Sequence, residues 1–229
     1  MKKYTRTKLA DRKLPDYTKG EEVFNYVSHI IGAVFAIVAL VLCCATAAAH
    51  RNVWGVVSGS IFGGTMILVY TMSSVYHGLA PSIAKKVFQI IDHCSIFLLI
   101  AGTYTPITLV GFRMVNPILG WCVFGGIWFF AILGIILNAI DWKRYNVFSM
   151  ICYLGMGWCA VFFIKTIIDI VGDRGTMFLV LGGILYTIGA ILYIFGRKVR
   201  YFHSVFHLFV VAGSFMHFLM ILVCLMPIK

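Results

Sequence analysis

The sequence predicts an all-α polytopic membrane protein in which seven transmembrane helices form one bundle. Hydrophobic residues make up 61% of the 229 residues, charged residues make up 12%, and the mean hydropathy is +0.95. A water-soluble domain of this size does not need so much apolar surface. The apolar residues fall in runs long enough to cross a hydrocarbon core of about 30 Å as helices, and too long for barrel strands.

A polar, basic segment, residues 1–22, precedes the first apolar run and is predicted to be a cytoplasmic tail. The transmembrane domain, 23–229, has connections short enough to make consecutive helices antiparallel neighbours. Asn116-Pro117 is typical of a helix start, and Pro106 predicts a bend late in the third run. The predicted spans are about 23–49, 53–76, 87–110, 117–138, 147–170, 176–196 and 203–226.

Lysine and arginine residues indicate the orientation of the chain. Fourteen of them fall on the side of the amino-terminal tail and four on the opposite side. Because basic loops stay in the cytoplasm, the amino terminus is predicted to be cytoplasmic and, after seven spans, the carboxyl terminus lies outside. The same distribution argues against a nucleic-acid-binding face, although the net charge is +11.

Small residues recur along the second span. Gly55, Gly59 and Gly63 are four residues apart, a spacing that lets helix backbones approach closely. Packing inside the bundle is the favoured interpretation. A homodimer formed through this glycine face is the alternative.

Polar residues from three distant spans are predicted to lie at one depth, near the cytoplasmic face. His77 ends the second span, and Asp92 lies about one and a half turns into the third. His203 and His207 lie in the first two turns of the last span and share one helix face. Charged groups inside a span are expensive and are typical of functional sites.

Three imidazoles suit a borderline metal ion, so the sequence predicts a zinc site formed by His77, His203 and His207. Three protein ligands leave a fourth position open for water, which is the catalytic pattern. Asp92 is predicted to hold and activate that water as general base. Ser73, one turn before His77 on the same face, is predicted to orient a ligand or donate to an oxyanion.

Each of these residues has a simpler explanation when taken alone. His77 would be an interfacial histidine, His203 a helix-start residue, and Ser73 a hydroxyl bonded to its own helix. Glu22, Asn25 and His29 either support the ligands from behind or only cap the first helix.

His217 also lies on the last span, fourteen residues past His203. That spacing is about 21 Å along a helix, too far for the two side chains to share one ion. A hydrogen bond between helices or a second polar spot is therefore predicted for His217.

The sequence also resembles the progestin and adipoQ receptor family, and most closely its bacterial branch, hemolysin III. The resemblance covers roughly residues 21–227. The motifs that carry it are Ser73-Ser-Val-Tyr-His77, Ile91-Asp92-His93 with Ala101-Gly102-Thr103-Tyr104, and His203-Ser-Val-Phe-His207 with Gly213-Ser214-Phe215-Met216-His217.

The resemblance implies a seven-helix bundle in the cell membrane, here the bacterial inner membrane, with zinc on His77, His203 and His207 and its water on Asp92. The family is similar to a wider group of membrane hydrolases that includes alkaline ceramidases. Membrane lipids are therefore the expected partners.

Three functions remain open. The first is a zinc-dependent hydrolase that cleaves an amide or ester of a membrane lipid and affects lipid or energy homeostasis. The second is a sensor or regulator in which zinc staples two helices together. A pore-forming haemolysin is the least favoured, because few charges in the predicted spans leave no obvious water-lined path.

Overall fold

Long helices form the fold. The computed structural model describes residues 7–196 and 199–228, apart from the side chains of residues 142 and 143, and this part of the chain contains no strand. Short 3-10 or π-helical stretches follow several of the helices. The α-helices are α1 (Lys19–Ala49), α2 (Val53–Gly78), α3 (Ile83–Pro106), α4 (Arg113–Val115), α5 (Pro117–Trp158), α6 (Ile164–Phe195) and α7 (Phe202–Met220).

Side-chain caps fix where the first helices begin. The Thr18 hydroxyl accepts a hydrogen bond from the backbone N–H of Glu21 at 3.3 Å, and the Glu21 carboxylate accepts one from the Thr18 N–H at 2.8 Å. Because of this capping box, α1 begins at Lys19, four residues before the first predicted span, which begins at residue 23. Asn116 caps α5 ahead of Pro117, as predicted.

Six helical stretches in the described part of the chain are long and apolar enough to cross a membrane. One of them runs for 52 residues and covers both the fifth and the sixth predicted spans. It contains Gly172, whose φ of 66° and ψ of −178° interrupt the helix. The six stretches are Lys19–Ala49, Val53–Gly78, Ile83–Val115, Pro117–Asp141, Arg144–Phe195 and Phe202–Leu225.

The surface of the bundle is apolar and much of its interior is polar. Ile31 is 62% exposed and Phe162 is 86% exposed, whereas Asn25, Thr105 and Ser214 are fully buried. A protein surrounded by water would bury the former and expose the latter. The arrangement fits a hydrocarbon solvent, in which polar groups must find partners inside the protein.

The glycine face of α2 packs against α1 of the same chain. A Cβ atom added at Gly63 would lie 2.4 Å from the Cβ atom of Leu40, and one at Gly59 would lie 3.2 Å from that of Cys43. The close approach of the α1 and α2 backbones therefore accounts for the glycine face, and the homodimer stays a prediction.

Helix α3 lies at the centre of the bundle. Every residue from Ala101 to Phe112 is buried. At Pro106 the α-helical pattern gives way to a π-helical stretch, Ile107–Phe112, which continues into α4. Proline has no N–H to donate, so the change in hydrogen-bond pattern occurs at the position where a bend was predicted. This central placement sets Asp92 in the interior, near the ends of α2 and α7.

Candidate metal centre

Three histidines meet where α2 ends and α7 begins. His77 is the second-last residue of α2, and His203 and His207 occupy the first two turns of α7. Their exposed fractions are only 2%, 7% and 1%. One ring nitrogen from each lies within 4.8 Å of the others, so the group could hold a metal ion. The predicted convergence of these residues is therefore present in the structure.

The distances between the ring nitrogens fit a small tetrahedral ion. The Nε2 atom of His203 lies 3.4 Å from that of His77 and 3.2 Å from that of His207. Ligands at about 2.0–2.1 Å from a tetrahedral zinc ion are separated by about 3.3 Å. The spacing of the two nitrogen pairs matches this tetrahedral edge.

Contacts behind the rings assign their protons. His77 donates from Nδ1 to Glu22 Oε2 at 2.6 Å, because a carboxylate only accepts. His207 donates from Nδ1 to the carbonyl oxygen of Asn25 at 3.3 Å. In their neutral form, which a metal ligand must have, both rings present bare Nε2 lone pairs toward His203, which has one Nε2 proton at most to offer. A cation would satisfy the lone pairs that remain.

Aromatic rings cover the cluster on two sides. His29 stacks on His207 with centroids 3.8 Å apart and an interplanar angle of 15°. Tyr17, from the segment before α1, stacks on His203 at 5.0 Å and 19° and lies 5.7 Å from His77. Residues of the tail thus close the site on one side and α1 closes it on another.

Glu22, Asn25 and His29 all lie directly behind or beside the three histidines. The side-chain nitrogen of Asn25 lies 3.3 Å from His77 Nδ1. Both ring nitrogens of His29 are buried and have no hydrogen-bond partner within the described residues. The three residues therefore contact the cluster rather than merely ending the helix.

Asp92 and Ser73 line one cavity with His203 and His207. Asp92 is not among the residues whose ligand atoms converge, and its Oδ2 atom lies 3.9 Å from His93 Nδ1. The Ser73 hydroxyl is buried and, among the described residues, makes no hydrogen bond, so the bond to its own helix is not formed. Both side chains therefore line the cavity, and neither belongs to the group of converging ligand atoms.

The cavity runs between the helices away from the histidines. A water-sized sphere can occupy about 160 Å³ of it, and its wall is mostly aliphatic and aromatic. The wall extends from His203 to His217 along α7 and includes Tyr186 and Tyr193 of α6. An apolar cavity with a few convergent polar groups is the usual form of a ligand site.

Two parts of the site were not predicted as such. From the sequence, Lys85 is only one of the basic residues that indicate the orientation in the membrane. In the structure it donates from Nζ to Glu22 Oε1 at 2.7 Å and to the Leu79 carbonyl oxygen at 2.8 Å. Tyr17 falls in the segment that is predicted to be a cytoplasmic tail, and no contact with the site is predicted for it. The Thr18-x-x-Glu21 pattern was the available signal, since a helix beginning there brings Tyr17 next to the cluster.

Comparisons with known proteins agree on one family. The model of the "Haemolysin-III related" family matches residues 17–218. The chain is 38% identical to "Hemolysin-3" of Bacillus cereus over 207 residues, which is 90% of this chain and 93% of that protein. It is 37% identical to "Hemolysin-3 homolog" of Bacillus subtilis (strain 168) over 198 residues, or 86% of this chain and 91% of that protein.

A more distant relative is "Monocyte to macrophage differentiation factor" of Homo sapiens, which is 24% identical over 211 residues, or 86% of this chain and 82% of that protein. No solved structure matches the chain. The matched region includes all three histidines, Asp92 and Ser73. With its apolar membrane-crossing helices, the chain is a multi-pass membrane protein and belongs to the haemolysin-III related family.

Proposed function

We propose that the protein is a zinc-dependent membrane hydrolase that cleaves an amide or ester bond of a membrane lipid. The observation that carries the proposal is that His203 and His207, two of the three clustered histidines, line an apolar cavity together with Asp92 and Ser73. A structural metal site would instead be closed by a fourth protein ligand. A lipid is the substrate that an apolar cavity inside a membrane bundle would admit.

His77, His203 and His207 would hold the ion. Zinc bound there would supply Lewis acidity toward a carbonyl group and toward a water molecule. Glu22 and the Asn25 carbonyl keep His77 and His207 in the tautomer whose Nε2 faces the site. This preorganisation keeps the ligand nitrogens in place before an ion or substrate arrives.

Asp92 and Ser73 have complementary roles in this proposal. The Asp92 carboxylate takes the proton of the attacking water as general base and returns it to the leaving group. The Ser73 hydroxyl, which has no partner among the described residues, donates to the oxygen on which charge develops. Both groups lie in a mostly apolar wall, where such interactions are stronger than in water.

The proposed membrane arrangement has seven spans, with the amino terminus in the cytoplasm. The stretch Arg144–Phe195 would be about 78 Å long as one helix, more than twice the hydrocarbon core. The break at Gly172 supports its division into two spans. The site would then lie near the cytoplasmic leaflet of the bacterial inner membrane, where hydrolysis would affect membrane lipid or energy homeostasis.

The charges that support this orientation fall partly beyond the described residues. Lys85, Lys86 and Arg200 lie at the end of the bundle that carries the histidines. Six of the lysine and arginine residues that were counted to predict the orientation lie outside the described residues: Lys2, Lys3, Arg6, Arg197, Lys198 and Lys229.

A sensor in which zinc staples α2 to α7 is the second candidate. The observation in its favour is that the cluster joins the end of one helix to the start of another, far along the chain. A staple predicts that His203→Ala lowers thermal stability and that Asp92→Asn changes nothing.

One experiment separates the two candidates. Protein purified without added metal is analysed for zinc and incubated with a ceramide and with a diacyl phospholipid, and released fatty acid is measured by mass spectrometry. The hydrolase predicts one zinc per chain and turnover that Asp92→Asn abolishes while zinc stays bound. Full activity of Asp92→Asn would contradict the hydrolase mechanism, and absence of turnover with both lipids would favour the sensor.

A further inference from the structure

A second polar group lies on the cavity wall, far from the three histidines. His217 is 93% buried on α7 and lines the same cavity as Asp92 and Ser73. It is fourteen residues past His203, which corresponds to about 21 Å along the helix. The cavity therefore has polar groups at both ends and a mostly apolar wall between them.

The contacts of His217 fix which ring nitrogen is available. Its Nε2 atom lies 3.1 Å from the carbonyl oxygen of Leu179 on α6 and must donate, because a carbonyl only accepts. The Nε2–Cδ2 edge also faces Gly182, where an added Cβ atom would lie 2.3 Å from the ring. The opposite edge carries Nδ1, which in the neutral ring is an acceptor.

The neighbouring hydroxyl groups do not use this acceptor. Tyr70 donates to the Ser214 hydroxyl at 2.5 Å, and the Tyr186 hydroxyl lies 2.7 Å from the same oxygen. The Tyr186 ring centroid is 5.4 Å from that of His217. His217 Nδ1 is buried and has no hydrogen-bond partner among the described residues. A buried acceptor without a partner destabilises the protein, so a donor is expected beside it.

We propose that His217 Nδ1 forms a second polar subsite, which accepts a hydrogen bond from a hydroxyl group near the far end of a chain bound in the cavity. The ligand class is an amphiphile with one polar end beside the three histidines and a hydroxyl group about 15–21 Å away, the rise along α7 from His207 or His203 to His217. The inference rests on the proposed function only in taking the cavity as a lipid site. It does not depend on hydrolysis.

Binding of two fatty acids tests the subsite without turnover. An extended chain of sixteen carbons is about 20 Å long, close to the span of fourteen helical residues. We therefore compare hexadecanoic acid with 16-hydroxyhexadecanoic acid, each radiolabelled, by equilibrium binding to the full chain in detergent. The hydroxylated acid is expected to bind about five- to tenfold more tightly, as one added hydrogen bond predicts.

Two variants of His217 provide matched tests. In His217→Gln the side-chain amide can still donate to Leu179, but no acceptor occupies the Nδ1 position, so the preference should be lost. In His217→Asn the side-chain oxygen replaces Nδ1, so the preference should remain. Thr103→Val is the control, because the Thr103 hydroxyl lines the cavity but already donates to the Leu99 carbonyl oxygen at 2.8 Å.

Several results would overturn the subsite. They are equal binding of the two acids by the unaltered protein, a preference that persists in His217→Gln, and failure of both acids to bind. In each case a water molecule would be the better partner for Nδ1. A preference that behaves as expected while ceramide and phospholipid stay intact would instead count against the proposed hydrolase and leave the subsite standing.

Discussion

The Oε2 atom of Glu22 lies 2.6 Å from His77 Nδ1, while its Oε1 atom lies 2.7 Å from Lys85 Nζ. One carboxylate thus links a candidate metal ligand on α2 to a buried lysine on α3. The lysine side chain is only 5% exposed, and it also donates to the Leu79 carbonyl oxygen at the end of α2. The negative charge of Glu22 therefore has two roles. It balances the positive charge of Lys85, and it orients the His77 ring.

Replacing that carboxylate should weaken metal binding without removing a ligand. Glu22→Gln is expected to lower zinc affinity by about 10- to 100-fold, because the amide orients His77 less strongly and leaves Lys85 without its counter-charge. Competition with a zinc chelator measures the change. Glu21→Gln is the control, since Glu21 caps α1 and accepts from the Tyr201 backbone N–H instead. Equal affinity of Glu22→Gln and the unaltered protein would contradict the orienting role.

Two adjacent serines give a second matched pair. The Ser73 hydroxyl is buried in the cavity wall without a partner among the described residues, whereas Ser74 donates to the Tyr70 carbonyl oxygen at 2.8 Å. Ser73→Ala is expected to lower kcat by about 100-fold, as the loss of one oxyanion donor does, with zinc content unchanged. Ser74→Ala should leave kcat nearly unaltered. The assay is fatty-acid release from the lipid that is cleaved, and similar effects of the two variants would exclude Ser73 as a specific donor.

The three histidines could be predicted because two simple rules converge on them. A spacing of four residues puts His203 and His207 on one helix face, and helix direction puts His77 at the same end of the bundle. Neither rule uses tertiary contacts. The outer parts of the site depend on such contacts. Neither the type nor the spacing of Lys85 predicts its role, and Tyr17 is signalled only indirectly, by the Thr18-x-x-Glu21 cap beside it.

The break in α5 shows the same limit. It falls inside the fourth predicted loop, residues 139–146, where Asp141 leaves helical geometry at φ −157° and ψ 90°; one membrane-crossing stretch ends there and the next begins at Arg144. An apolar run gives the length of a span, but the residue at which the chain turns also depends on tertiary hydrogen bonds. Asp141 accepts one such bond from the backbone N–H of Thr7, 134 residues earlier in the chain.

Packing of α1 on α2 can be tested at two neighbouring glycines. A Cβ atom at Gly63 would lie 2.4 Å from Leu40, whereas one at Gly64 would meet nothing within 4 Å. Gly63→Ala is therefore expected to cost about 1–3 kcal/mol through overpacking, and Gly64→Ala should be neutral or slightly stabilising. Thermal unfolding in detergent measures both. Size-exclusion chromatography with light scattering of Gly63→Ala separately tests the predicted homodimer, because loss of a dimer without loss of stability would assign the glycine face to a second copy.

Tyr17 should control how fast the metal site exchanges with water. Its ring stacks on His203 at 5.0 Å and lies 5.7 Å from His77, so it shields the cluster from the side of the tail. Tyr17→Ala is expected to speed the removal of zinc by a soluble chelator several-fold, while equilibrium affinity changes less because no ligand is lost. Tyr17→Phe keeps the ring and should behave as the unaltered protein does. Stopped-flow measurement with a chromogenic chelator gives the rates, and identical rates for all three proteins would show that access to the site follows another route, through the cavity between α3, α6 and α7.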